Sequence, residues 1–218
     1  MILIPVKDLA TAKQRLAPVL EQRTRTELAQ TMLRDVLEAI AEWIGRPEVA
    51  IVTSDKFAVE LARHLNFATI PDEANRSETD AIEVATQLCG QRGVAQTLVI
   101  PGDIPLIQSS ELQAILDSAP KQGSVLVPAA DGRGTNAALR NPAGLFPLRF
   151  GNDSFEPHLA AAKATGHPCV VLSLPGIALD VDRPSDLRQL AESPGETRSQ
   201  RLARQWDLNA LEAAADSQ

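Results

Sequence analysis

The sequence carries four groups of residues whose types and spacing can do chemistry. In TLVIPGDIPLI (97–107), a run of apolar and β-branched residues stops at a Pro-Gly-Asp-Ile-Pro turn, which places Asp103 just past a strand end. Pro101 and Pro105 stiffen that turn. An acid held there can meet a metal ion or a ligand hydroxyl, or it can cap the helix expected near Ser110. In IPVKDLATAKQRL (4–16), Lys7, Lys13 and Arg15 follow another strand-like run. Two ammonium point charges and one planar guanidinium fork suit a triphosphate, and a solvated basic face is the plainer alternative. In ALDVDRPSDL (178–187), Asp180 and Asp182 alternate with apolar residues, and two such positions in a strand face one side. Two carboxylates on one face repel unless a cation lies between them, and Mg²⁺ suits such a pair. Otherwise Asp182 or Ser185 caps the next helix and Asp180 is solvated. The fourth group spans DGRGTNAALRNP (131–142) and RFGNDSFEPH (149–158). Gly132, Gly134 and Gly151 let backbone amides approach an anion, and Thr135, Asn136 and Ser154 add short donors. Ser154 falls near a predicted helix start, a favourable place for phosphate or carboxylate, and His158 lies one turn further on the same face.

These residues need a frame to gather them, and the chain alternates strand-like and helix-like segments through most of its length. Strands are expected at 2–6, 49–54, 67–71, 97–100, 124–129, 169–174 and 177–182, with a short one at 137–140. Helices are expected at 21–43, 57–65, 80–90, 110–118, 154–166 and 185–192. Leu28, Met32, Val36 and Ile40 recur along one face of the first helix. Ser54 or Asp55 caps the second, and Gly90 ends the third. This rhythm predicts an α/β, doubly wound, mostly parallel sheet, broken at 130–155 by a Gly-, Pro- and Asn-rich excursion. One domain is expected over 1–193, with a loosely attached, helical tail over 194–218.

Composition excludes some partners. A net charge of −7 with no basic stripe argues against nucleic acid, and no apolar run is long enough to span a membrane. Cys89 and Cys169 lack metal-ligand spacing and read as reduced thiols of a cytoplasmic protein. The amphipathic C-terminal stretch can pair two copies as a homodimer or lie on its own domain.

IPVKDLATAKQRL, PGDIPL, DGRGTNAAL, FGNDSFEPH and DVDRPSDL, in that order, resemble the CofC/FbiD family over about residues 2 to 190. Its members are phospholactate or phosphoenolpyruvate guanylyltransferases of deazaflavin coenzyme (F-420) biosynthesis. The resemblance implies the nucleotide-diphospho-sugar transferase variant of the doubly wound sheet, which is GT-A-like and Rossmann-like. It also implies Mg²⁺-dependent transfer of GMP from GTP to a small phosphorylated carboxylic acid, with hand-off of the product to a downstream enzyme. Carried over by motif, Asp103, Asp180 and Asp182 would hold Mg²⁺, with Lys13 and Asp103 catalytic. Lys7, Lys13, Arg15 and Asp80 would face the nucleotide, and Thr135, Gly151 and Ser154 the acceptor. Asp80 stands where the family commonly has Asn, which leaves the strictness of GTP preference open. The same chemistry on 3-phospho-D-glycerate, another nucleotidyltransferase acting on a sugar phosphate or molybdopterin, and a catalytically inactive nucleotide-binding regulatory protein are the alternatives.

Overall fold

The computed structural model describes residues 1–73, 77–151 and 153–206. Its strands are β1 (Ile2–Pro5), β2 (Val49–Val52), β3 (Ala68–Ile70), β4 (Thr97–Val99), β5 (Gly123–Pro128), β6 (Thr135–Asn141) and β7 (Cys169–Val171). The helices are α1 (Gln22–Ala41), α2 (Lys56–His64), α3 (Glu78–Gln91), α4 (Ser109–Asp117), α5 (Phe155–Ala164), α6 (Pro175–Ala178), α7 (Pro184–Glu192) and α8 (Arg198–Ala203). The strands form one sheet in the order β3-β2-β1-β4-β6-β5-β7. All neighbours are parallel except β6, which runs antiparallel to both β4 and β5.

Successive strand residues point to opposite faces, so one strand feeds two cores. Ile2, Ile4, Ile51 and Leu98 pack under α1, α2 and α4, while Leu3, Ala50, Val52 and Val99 pack under α3 and α5. A third cluster joins Leu28 and Met32 of α1 to Leu179, Val181 and Leu187. That cluster anchors the chain just after α6, where two of the candidate acids lie. Asp55, not Ser54, caps α2, its carboxylate accepting from Ala58 N at 2.9 Å.

Four segments differ from their sequence expectation. Residues 177–182 are no strand, although their alternation resembles one. Pro175 starts the short α6, Gly176 N donates to Glu111 Oε1 at 2.7 Å, and Asn136 Nδ2 takes the Ile177 and Ala178 carbonyls at 3.0 and 2.9 Å. The Ala178 carbonyl also accepts from Ala130 N at 2.8 Å, so this stretch is held by a helical turn, a side chain and one isolated backbone bond instead of a ladder. A Cβ on Gly176 would sit 2.4 Å from Leu106 O, so this close packing of α6 needs glycine. The excursion at 130–155 contains a full strand, β6, longer than the expected 137–140, because both of its edges are paired. Helix α3 continues through Gly90 to Gln91, and Gly93 takes the left-handed turn with φ 75°. The tail is packed as far as it is described: Asp35 of α1 accepts from Ser199 N at 2.8 Å, and Ala203 is fully buried. Residues 207–218 lie outside the described residues. No described helix is long and apolar enough to cross a membrane, and Cys89 and Cys169 are both free thiols.

Candidate active site

β1 and β4 are neighbours, yet the chain leaves β1 toward the β3 edge and β4 toward the β7 edge. Open α/β sheets bind ligands outside the carboxyl ends of strands at such a switch point. A cavity of about 500 Å³ opens there. Arg15, Asp103, Asp180 and Asp182 line one part of it, and Thr135, Gly151 and Ser154 another.

The acidic part is organised around Lys13. Its Nζ donates to Asp103 Oδ2 and, at 2.8 Å, to Asp182 Oδ1, while Arg15 Nη1 reaches Asp182 Oδ2 at 3.1 Å. The lysine side chain is 7% exposed, against 30% and 35% for the two aspartates. The cation therefore lies beneath, and the carboxylates face the cavity. Lys13 is held in a left-handed conformation, φ 58° and ψ 41°, which a side-chain-bearing residue adopts at a cost of about 1–3 kcal/mol. Burial opposes its charge, but Asp103 and then Asp182 outweigh it and hold the ammonium above its ordinary pKa. Burial likewise opposes the Asp182 charge, and Lys13 and Arg15 outweigh it, leaving that carboxyl below the usual range. Asp180 is shifted the other way, by burial first and by Asp103 and Asp182 after it. Its carboxylate turns toward Asn136, whose Nδ2 donates to Oδ1 at 3.0 Å.

The second part is built by β6 and the start of α5. Phe155 N donates to Arg133 O at 2.9 Å, which draws the α5 terminus against the turn before β6. Ser154 does not cap its own helix; its Oγ accepts from Thr135 N at 3.1 Å. Arg133 and Asp153 pair across the mouth, with Nη2 to Oδ2 at 3.0 Å, and both are exposed. Gly151 turns there with φ 135°. The result is a pair of hydroxyl groups and a glycine turn lining the same cavity as the cluster of cations and acids.

Over residues 1–211 the chain matches the family described as guanylyl transferase CofC like. It belongs to that family. Similar relatives include the phosphoenolpyruvate guanylyltransferase of Roseiflexus castenholzii, 33% identical over 94% of this chain and 93% of the relative. The 2-phospho-L-lactate guanylyltransferase of Methanothermobacter thermautotrophicus is 32% identical over 86% and 82%. The 3-phospho-D-glycerate guanylyltransferase of Colwellia psychrerythraea is 32% identical over 87% and 90%. Among solved structures, a Desulfovibrio desulfuricans protein assigned to the nucleotide-diphospho-sugar transferases superposes with a TM-score of 0.76 at 18% identity, covering 99% of this chain and 96% of that one. The likeness to that structure shows the shared fold.

This CofC-like chain does not gather every residue that the motifs suggested. Lys7 pairs with Asp72 at 2.5 Å and lines a separate depression with Asp8 and Lys56. Asp80 is exposed and absent from the cavity lining; its backbone N–H donates to the capping Ser77 Oγ at 3.0 Å. The three aspartates line one cavity but are bonded differently: Asp103 and Asp182 share Lys13, whereas Asp180 is held by Asn136. Among the described residues no three His, Cys, Asp or Glu side chains form a metal-binding group. Asp103 does not cap α4, since Glu111 Oε2 accepts from Gln108 N at that terminus. Asp186 rather than Asp182 or Ser185 caps α7, accepting from Arg183 N at 2.8 Å.

The structure also adds residues. Asn136, expected only as a short donor, clamps the chain before Asp180. Glu78, the first residue of α3, lines the cavity, and burial followed by the Asp103 charge raises its pKa to about 7 against the pull of Lys7 and Lys13. In sequence it looks like any acid placed in a first helical turn.

His158 is buried and accepts from Arg149 N at 2.7 Å through Nε2. Burial, helped by the Arg140 charge, lowers its pKa to about 4. Above pH 6.5 the imidazole is neutral in both folded and unfolded chains and contributes no pH dependence. Between pH 6.5 and about 4 the unfolded chain takes up a proton that the folded one refuses, so stability falls as pH falls, by about 3 kcal/mol in full. Urea denaturation at pH 7 and pH 4.5 should show a steeper loss for the natural chain than for His158→Asn. Equal losses would place the acid sensitivity elsewhere.

Proposed function

We propose that this chain transfers GMP from GTP to a small phosphorylated carboxylic acid, phosphoenolpyruvate or 2-phospho-L-lactate, with release of pyrophosphate, in coenzyme F-420 biosynthesis. The observation that carries the reading is one cavity, in a CofC-like chain, that sets a Lys13–Asp103–Asp182 cluster against a pocket lined by Thr135, Gly151 and Ser154. Relatives of similar identity are named for three phosphorylated three-carbon acids, so 3-phospho-D-glycerate is a second acceptor to test.

A phosphate oxygen of the acceptor attacks the α-phosphorus of GTP in line; a new P–O bond forms as the bond to pyrophosphate breaks. The acceptor phosphate is already anionic near neutral pH, so no general base is needed. Thr135, Gly151 and Ser154 hold the acceptor, while Lys13 and Arg15 offset the charge of the nucleotide phosphates. The work is positioning and charge neutralisation. The donor set also fits a divalent cation such as Mg²⁺. Asp103 and Asp182 already share one positive charge and open on the cavity, and Mg²⁺ is commonly held by one or two carboxylates plus water and phosphate oxygens. A bound Mg²⁺ would supply Lewis-acid neutralisation of phosphate charge. Asp180 would support that site through its neighbours rather than as a ligand.

The test offers GTP or ATP with each of the three acids and a sugar phosphate, and identifies products by mass. GMP joined to one of the acids, with pyrophosphate released, is expected; no product with any acid, or equal turnover of the sugar phosphate, overturns the reading. Ser154→Ala should raise the acceptor KM about tenfold while GTP's stays within about twofold, since it deletes one donor to a charged group. The reverse ordering would move Ser154 to the nucleotide side.

A further inference from the structure

His158 lies under the donor pocket, and its two ring nitrogens meet partners of different kinds. Nε2 faces Arg149 N at 2.7 Å, and Nδ1 faces Thr135 Oγ1 at 2.9 Å. A backbone N–H can only donate, so Nε2 must carry the lone pair and Nδ1 the proton. Nδ1–H therefore donates to Thr135 Oγ1. The edge-on ring of Phe150, with centroids 5.3 Å apart, fixes the imidazole plane.

The next link follows from counting protons. Thr135 and Ser154 each own one hydroxyl proton, and their oxygens are 3.4 Å apart. Thr135 Oγ1 already accepts from His158, and Ser154 Oγ already accepts from Thr135 N at 3.1 Å. Their mutual contact can use at most one of the two protons. At least one O–H is therefore left over, beside the cavity that both residues line. With the opposite imidazole tautomer the sum changes. Thr135 O–H would be drawn onto Nδ1, Ser154 O–H would turn to Thr135, and no hydroxyl proton would be left for a ligand.

We infer that His158 is a positioning residue: held in one tautomer by Arg149 N–H, it aims a hydroxyl proton of the Thr135–Ser154 pair at the anionic group of the acceptor. This rests on the acceptor reading of that pocket given above. His158 touches no substrate itself; all three side chains are buried, at 1%, 5% and 4% exposure, so solvent does not reorient them.

Two amides separate the two nitrogens' roles. Asn at 158 can place an N–H where Nδ1 stands, whereas Gln can reach the Nε2 position, accept from Arg149 N and leave Thr135 without a donor. His158→Gln should raise the acceptor KM about tenfold, the loss of one well-aimed hydrogen bond to a charged group, with kcat and the GTP KM within about twofold. His158→Asn should keep the acceptor KM within about threefold of the natural chain. Equal effects of Asn and Gln, or a GTP KM that moves as far as the acceptor's, overturn the assignment. Should either variant fail to fold, nitrogen NMR of the natural chain decides: a protonated Nδ1 with a bare Nε2 upholds the relay, and a protonated Nε2 overturns it. If the natural chain transfers GMP to no acid, the functional reading fails by itself, and the same spectrum still reports on the hydrogen-bond chain.

Discussion

Asp103→Asn is expected to slow turnover roughly 10³-fold, about 4 kcal/mol in the barrier, while the chain stays folded. The fold should survive because the side chain is only part-buried and the backbone bond that ties the site together, Val181 N to Asp103 O at 3.2 Å, does not involve it. Activity should not survive. Asparagine keeps the shape but removes one of the two negative charges that hold Lys13, and with it half of the carboxylate pair that fits a divalent cation. An amide oxygen facing a polyphosphate offers no fixed anion around which cations can gather. The same loss has an electrostatic signature: the Asp103 charge helps hold Lys13 above its ordinary value and Glu78 up at about 7, so both should move back toward normal. Pyrophosphate release measured across a range of Mg²⁺ concentrations is the check. Near-natural, metal-dependent turnover would take the assigned role away from Asp103.

The elements that bring Asp103 into place were legible because their signals are local. Leu98 and Val99 lie on opposite faces of the buried β4, Ile100 follows on the first face, and Pro101 with Pro105 shape the turn after it. The family likeness was equally local, five short motifs in fixed order. What could not be read was how side chains compete for a shared partner. The alternation in ALDVD predicts a strand, but Pro175 starts α6 just before it, and Asn136, about 40 positions earlier, binds the chain at Ile177, Ala178 and Asp180. Nothing within the segment announces that. Asp180 and Asp182, expected to work as a pair, are divided by the same means: one faces an amide and the other an ammonium. Lys7 follows β1 as closely as any phosphate-binding lysine could, yet Asp72, past the end of β3, claims it. Spacing along a chain says which residues can meet; burial and charge decide which do.

Lys13→Met is the second large effect, and it separates Lys13's part in turnover from its part in holding the site. Methionine fills much of the same volume without charge or donors. Without the ammonium, Asp103 and Asp182 face each other with Asp180 and Glu78 nearby, and Arg15, bonded to Asp182, and the nearby Arg183 charge remain in compensation. Removing one partner of a fully buried pair costs about 3–5 kcal/mol; with both carboxylates about a third exposed, a loss near 2 kcal/mol is expected. Turnover should fall by about 10² or more, because the ammonium that orders the two carboxylates facing the cavity is gone. The distinguishing result is the response to Mg²⁺ without nucleotide. In the natural chain Lys13 and Arg15 already offset the two carboxylates, so added Mg²⁺ should change the melting temperature little. In Lys13→Met the carboxylate pair has lost its shared ammonium, and a ligand that binds only the folded state stabilises it. Millimolar Mg²⁺ should therefore raise the variant's Tm by several degrees more than the natural chain's. Equal shifts in the two proteins would mean that Lys13 and a divalent ion do not share these carboxylates, and the site would have to bind its metal elsewhere.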